Sequence, residues 1–158
     1  MTKSFFLKNI ILNNFVTFTH QNIDFVHNFN AIVGETGSGK SLILEALQLI
    51  FGGRSDKKLI RKDSEFCSVE CIFHCTDPEI KEFFDNNGFP FLDNEITLKR
   101  IIYHTGKSKT FINFQSANVA SLLKFSRRYI DIVGQFENQK LLSSTYQLKL
   151  LDSYSSQK

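Results

Sequence analysis

The sequence predicts an α/β fold in which a glycine-rich loop joins a short strand to a helix, followed by an antiparallel β stretch. Three observations carry this. Residues 32–43 read "IVGETGSGKSLI", an apolar run that stops at Gly34 and resumes after "GKS" as an apolar helix. Two strand-like segments precede that loop. After its helix, "SVECIFHC" and a second pair of apolar/polar segments alternate with the period of two expected of half-buried strands.

In chain order, "FFLKNIIL" (5–12) and "NIDFV" (22–26) are the two leading strands, and "FNAIV" (29–33) is short, apolar and β-rich, as a strand feeding the loop should be. "KSLILEALQLIF" places Leu42, Leu44, Ala46, Leu47, Leu49 and Ile50 on a broad helical band that ends at Gly52-Gly53. A basic connector (52–63) leads to the strand 68–75, with Val69, Cys71, Phe73 and Cys75 on one face. Next comes a short helix (77–88) with Asp77 as N-cap, Pro78 in the first turn and Gly88 as the stop. Residues 95–104 and 110–115 form a hairpin with a basic tip, "TGKSK". A helix over 116–125 follows, capped by Ser116, then a strand over 129–135. The tail has a helical stripe at Leu141, Leu148 and Leu151.

The totals bound the reading. The 158 residues suffice for one domain with a real core, and the 42% apolar and 22% charged fractions are ordinary for a globular protein. A net charge of +3 is too small to argue for nucleic acid by itself. Basic residues gather at Arg54, Lys57, Lys58, Arg61 and Lys62, and again at Lys99, Arg100, Lys107 and Lys109; each group reads as a solvated face or as a phosphate contact. Cys67, Cys71 and Cys75 would lie on one strand face, about 13 Å from end to end, too far for one metal ion. They read as buried thiols in a reducing compartment. No run approaches a membrane span, and "MTKSFFLKN" lacks a signal peptide's apolar region; the expectation is a cytoplasmic protein without membrane contact.

Gly34-x-x-x-x-Gly39-Lys40-Ser41 fits the P-loop pattern. A loop that wraps a triphosphate must turn successive backbone N–H groups inward, which the backbone freedom of Gly34, Gly37 and Gly39 permits. The following helix adds free N–H groups and the positive end of its dipole. Lys40 would reach the β and γ phosphates, and the Ser41 hydroxyl would ligate Mg²⁺. Gly34, Glu35, Thr36, Gly37, Ser38, Gly39, Lys40 and Ser41 are thus the candidate residues for ATP. The expected fold class is α/β, a P-loop NTPase of ABC/SMC head type: an N-terminal lobe with a P-loop strand–helix core and an antiparallel β subdomain. A hydrolase also needs an apolar strand ending in aspartate, followed by a glutamate. Only "RYIDIV" comes near, with Asp131 inside the expected strand and no acidic residue directly after it, and there is no serine-glycine-glycine signature.

Those absences fit a resemblance. "FFLKNIILNNFVTF", "IDFVHNFNAIVGETGSGKSLILEALQLIFGGR", "LIRKD", "LKRIIYHTGKSKTFIN", "YIDIVGQFENQKLL" and "QLKLLDSY" resemble, in order and spacing, the opening of the RecN family of SMC-like bacterial DNA repair ATPases. The resemblance implies a split head: an N-terminal lobe with the P-loop, a long coiled coil, and a C-terminal lobe with the signature and the missing carboxylate. Residues 1–140 would then be the lobe and 141–158 a helical tail leading toward the coiled coil. It also implies roles for Gln135, as the glutamine touching Mg²⁺ or the attacking water, and for Arg61, near the γ-phosphate. Thr36 falls where a side chain often faces the phosphates. Implied partners are ATP, the C-terminal lobe, a second head in a homodimer and DNA through the full assembly, in the cytoplasm at the nucleoid.

Departures are Val133, Phe136 and Asn138, where the family usually has histidines, and Asp63, where it usually has glycine. Three alternatives stay open: another SMC-like or RecF-like ATPase of DNA metabolism, a small P-loop kinase, or a module in which ATP only orders the fold. A kinase would need an arginine-bearing lid and an acidic base after the loop, and neither is found. Turnover by the isolated chain would separate the last alternative from a hydrolase.

Overall fold

The computed structural model describes residues 4–35 and 39–132. Its frame is a six-stranded antiparallel sheet in the order β2-β1-β3-β4-β5-β6. The strands are β1 (Phe5–Phe15), β2 (Phe18–Asp24), β3 (Phe66–Cys75), β4 (Glu95–Tyr103), β5 (Ser108–Ile112) and β6 (Gln115–Ala117), with helices α1 (Lys40–Ile50), α2 (Pro78–Asn86) and α3 (Val119–Tyr129). A short 3-10 turn, Lys57–Leu59, lies between α1 and β3.

The alternation of apolar residues sets which face is buried. Cys67, Val69, Cys71, Phe73 and Cys75 of β3 face the core beside Ile96, Leu98 and Ile102 of β4. β1 uses a register shift between Leu7 and Asn9. One extra residue there changes the parity, so Phe5 and Leu7 pack on the core together with Ile10 and Leu12 beyond it. Part of the phenylalanine-rich composition packs between the sheet and α2 and α3. Phe5 stacks on Phe73 with centroids 5.3 Å apart, and Phe125 meets Phe84 edge-on at 5.2 Å and Phe83 at 5.9 Å.

The cysteine expectation holds: all three thiols are free and buried. Burial pushes the Cys67 thiol up to about 11 and raises those of Cys71 and Cys75 as well. Asp77 caps α2 by accepting from the Glu79 N–H at 2.9 Å, Pro78 opens the helix, and Gly88 follows it at φ +73°.

Several expected elements differ. Residues 29–33 form no strand: Phe29 is 82% exposed, Ile32 45% and Val33 87%. Their apolar character on both faces is that of a strand buried from both sides, which forms only between neighbouring strands; among the described residues it has none. The strand expected over 129–135 is not formed where it can be seen, since Tyr129 closes α3 and 130–132 are irregular; 133–135 lie outside the described residues, as does the expected helical tail, 141–158. The third helix runs Val119–Tyr129 rather than 116–125. Its cap is Asn118, which accepts from the Ser121 N–H at 2.8 Å, while Ser116 pairs with Phe111 in the β5–β6 ladder. The second strand begins at Phe18 and ends at Asp24, because it pairs back along β1 as a hairpin.

Candidate functional site

The loop of interest ends where α1 begins. Gly39 is the N-cap of α1, at φ +93° and ψ 0°, a left-handed conformation that glycine adopts without a Cβ penalty. Its carbonyl accepts from the N–H groups of Leu42 and Ile43, at 3.0 and 3.3 Å. A Cβ on Gly39 would stand 2.9 Å from Cζ of Phe18, so a side chain there would be strained by φ and would have to push the Phe18 ring aside.

Lys40 is the first residue of α1, and its ammonium folds back over the loop. It donates to the carbonyl of Gly34 and to that of Glu35, the latter at 2.5 Å. Gly34 and Glu35 are exposed, as is Ser41 in the first turn. No acidic residue stands in that first turn, so no carboxylate there opposes an incoming anion. Thr36, Gly37 and Ser38 lie outside the described residues, and so does Gln135.

Arg61 is brought to this neighbourhood through the β1–β2 turn. Its backbone N–H donates to Asn14 and its Nη1 to the carbonyl of Thr17, both at 2.8 Å. Thr17 precedes Phe18, whose ring lies against Gly39. Phe18 is the residue that sequence reasoning missed. It belongs to no motif, and its only signal is its position just past a hairpin turn. Asp63, which stands where the resembled family has glycine, takes φ +65°, the conformation that explains a glycine there. Asp131 is exposed on irregular chain after α3, not at the end of a strand.

The two basic groups resolve differently from the expectation. Arg100 is not a surface cation: it is 2% exposed, and burial lowers its pKa. Lys99 pairs with Glu70 at 2.8 Å. Lys57 links the first group to the second: its Cε lies 3.2 Å from where a Cβ on Gly106 would stand, at the tip of the β4–β5 hairpin beside Lys107. The Lys109 ammonium lies over the Tyr103 ring at 5.7 Å, and Tyr103 packs against Phe66 at 6.1 Å. Among the described residues no group of His, Cys, Asp and Glu side chains could hold a metal ion, and no helix is long and apolar enough to cross a membrane.

Residues 9–158 match the protein family described as AAA domain. The chain is 30% identical over 148 residues to the DNA repair protein RecN of Vibrio cholerae, covering 94% of this chain and 27% of that protein. It thus spans about a quarter of the length of the curated relatives it matches. Among solved structures it is similar to an SMC ATPase chain from work on ATP-driven dimerization and DNA-stimulated activation, with TM-score 0.68 and 26% identity over 93% of this chain and 98% of that one. The recombination mediator RecF with ATP has TM-score 0.67 over 96% of this chain and 39% of that one; at 21% identity it shows the fold alone. The expected fold class is borne out, and so is the resemblance to RecN.

Proposed function

The chain belongs to the AAA domain family, and on that premise we propose that it is the ATP-binding N-terminal lobe of a RecN-type, SMC-like ATPase acting in recombinational repair of DNA double-strand breaks. The observation that carries the reading is the start of α1. A left-handed glycine cap, a lysine that already reaches the loop carbonyls and an exposed serine meet at a helix N-terminus without acidic side chains in its first turn.

That donor set suits a magnesium triphosphate. The backbone N–H groups of Gly34, Glu35, Thr36, Gly37, Ser38 and Gly39 would cradle the phosphates. Lys40 would exchange its two carbonyls for phosphate oxygens, a charge-assisted contact stronger than the one it gives up. The Ser41 hydroxyl would hold Mg²⁺, which neutralises phosphate charge when bound. Gln135 would orient the attacking water or touch Mg²⁺, and Arg61 would serve near the γ-phosphate.

The exposed side chains of Val26, Phe29, Ile32 and Val33 support a lobe that is completed from outside the described residues. In the proposed assembly the C-terminal lobe of the same head covers them, and ATP engages a second head of a homodimer. The exposed lysines at and beside the hairpin tip, Lys57, Lys107 and Lys109, are the proposed DNA contact, without base preference.

Calorimetric titration of MgATP into residues 1–158 tests the reading. The parent should bind and Lys40→Ala should not. Equal binding by both would remove the P-loop assignment.

A further inference from the structure

The turn between β1 and β2 is strained, and it is held from outside. Asn14 and Val16 both take φ +49°, and for a β-branched valine that conformation is a genuine outlier. Such strain persists only where surrounding contacts over-determine it, and it concentrates at functional sites. Here the contacts come from residues 59–61. The Val16 N–H donates to the Leu59 carbonyl at 2.8 Å, and Phe15 bridges to Ile60. Arg61 holds Asn14 through its backbone and Thr17 through its guanidinium. What this turn delivers is Phe18, with the tip of its ring against Gly39.

We propose that Phe18 is the positioning residue of the phosphate loop, and that Arg61 acts on the loop through the Thr17 carbonyl and the Phe18 ring. The proposal rests on the nucleotide reading given above. Gly39 has no side chain with which to fix its own conformation, and as a glycine it has the largest freedom to lose. A ring directly beneath it blocks collapse of the chain into the space below α1, so the first-turn N–H groups and Lys40 keep their direction. A helix start already held in shape binds with less ordering cost. Removing the ring leaves a void under Gly39, and the nucleotide must then do the ordering. Because Arg61 grips the residue before Phe18, any ligand or partner that draws Arg61 away releases the ring as well.

The test is calorimetric titration of MgATP into residues 1–158 for the parent, Phe18→Leu, Phe18→Ala, Arg61→Ala and the double variant. Phe111→Ala serves as a half-buried control on β5, and each variant's melting temperature is recorded. Phe18→Ala should bind about tenfold more weakly and Phe18→Leu should lose less, while Phe111→Ala binds like the parent at a similar loss of melting temperature. The double variant should lose less than the sum of the losses in Phe18→Ala and Arg61→Ala, since coupled residues are non-additive. If Phe18→Ala does not fold, Phe18→Leu carries the comparison. Affinity unchanged in the folded Phe18 variants would overturn the positioning role, and strict additivity would overturn the path from Arg61. Failure of the parent to bind MgATP would instead sink the nucleotide reading itself, and this inference with it.

Discussion

Arg100 donates from Nη1 to the carbonyl of Leu49, 2.9 Å away, so the fourth strand of the sheet grips the last turn of the helix that starts at the phosphate loop. The same nitrogen reaches the carbonyl of Gly53 at 2.5 Å. A cation at a helix C-terminus complements the dipole and satisfies carbonyls that the helix cannot pair itself. Arg100→Met should take the guanidinium from the Gly53 carbonyl, leave the Leu49 carbonyl only its 3.2 Å bond from the Gly52 N–H, and cost about 2 kcal/mol in urea unfolding. Arg100→Lys should cost less. An Arg100→Met variant as stable as the parent would show that the desolvation of the guanidinium cancels what it holds.

Alkaline pH should destabilise the fold through its thiols. The Cys67 thiol is raised from 9.0 to about 11, so between those values the folded state holds a proton that the unfolded state has lost. The stability it contributes is fully present below pH 9 and is lost as pH rises toward 11. Native protein at pH 8 should therefore resist thiol reagents at Cys67, Cys71 and Cys75, all of which are 0% exposed, and react with all three in denaturant. Rapid labelling of the native protein would contradict the buried row.

Two backbone positions offer smaller tests. Asp77→Ala should cost about 1 kcal/mol, by removing the α2 cap. Asp63→Gly should leave stability unchanged or raise it by up to about 1 kcal/mol, since Asp63 occupies a left-handed conformation. Both are read from urea midpoints, and a destabilised Asp63→Gly would mean that the aspartate side chain does more than tolerate its φ.

DNA binding, if carried by the hairpin patch, should be weak, indifferent to base sequence and steeply salt-dependent. Reversing the charge of Lys107 and Lys109 together should lower affinity at low salt and flatten the salt slope. Unchanged low-salt affinity would remove the hairpin from the DNA surface.

Legibility in the sequence followed locality. The cysteine row, the hairpin and α1 were readable because alternation and helical spacing are local signals. Residues 29–33 were not, because whether an apolar run becomes a strand depends on neighbours that it lacks among the described residues. Arg100 was read by charge when alternation was the better guide: it shares a face with Ile96, Leu98 and Ile102. The glycine–lysine–serine loop was legible as a pattern. Its support was not, because Phe18 and Arg61 meet it only through the folded β1–β2 turn.

Steady-state phosphate release by purified residues 1–158, with Lys40→Ala as the contamination control, tests the half-site most directly. The sequence has no strand-end aspartate–glutamate pair and no signature loop, and the proposed Gln135 is an amide, which can position water but cannot take its proton. Loss of both elements should remove several orders of magnitude in rate. The expected result is MgATP binding with phosphate release no faster than in Lys40→Ala. Turnover of about one per second that vanishes in Lys40→Ala would mean that Asp131 or Glu137 completes the site, and the chain would then be a whole ATPase rather than half of one.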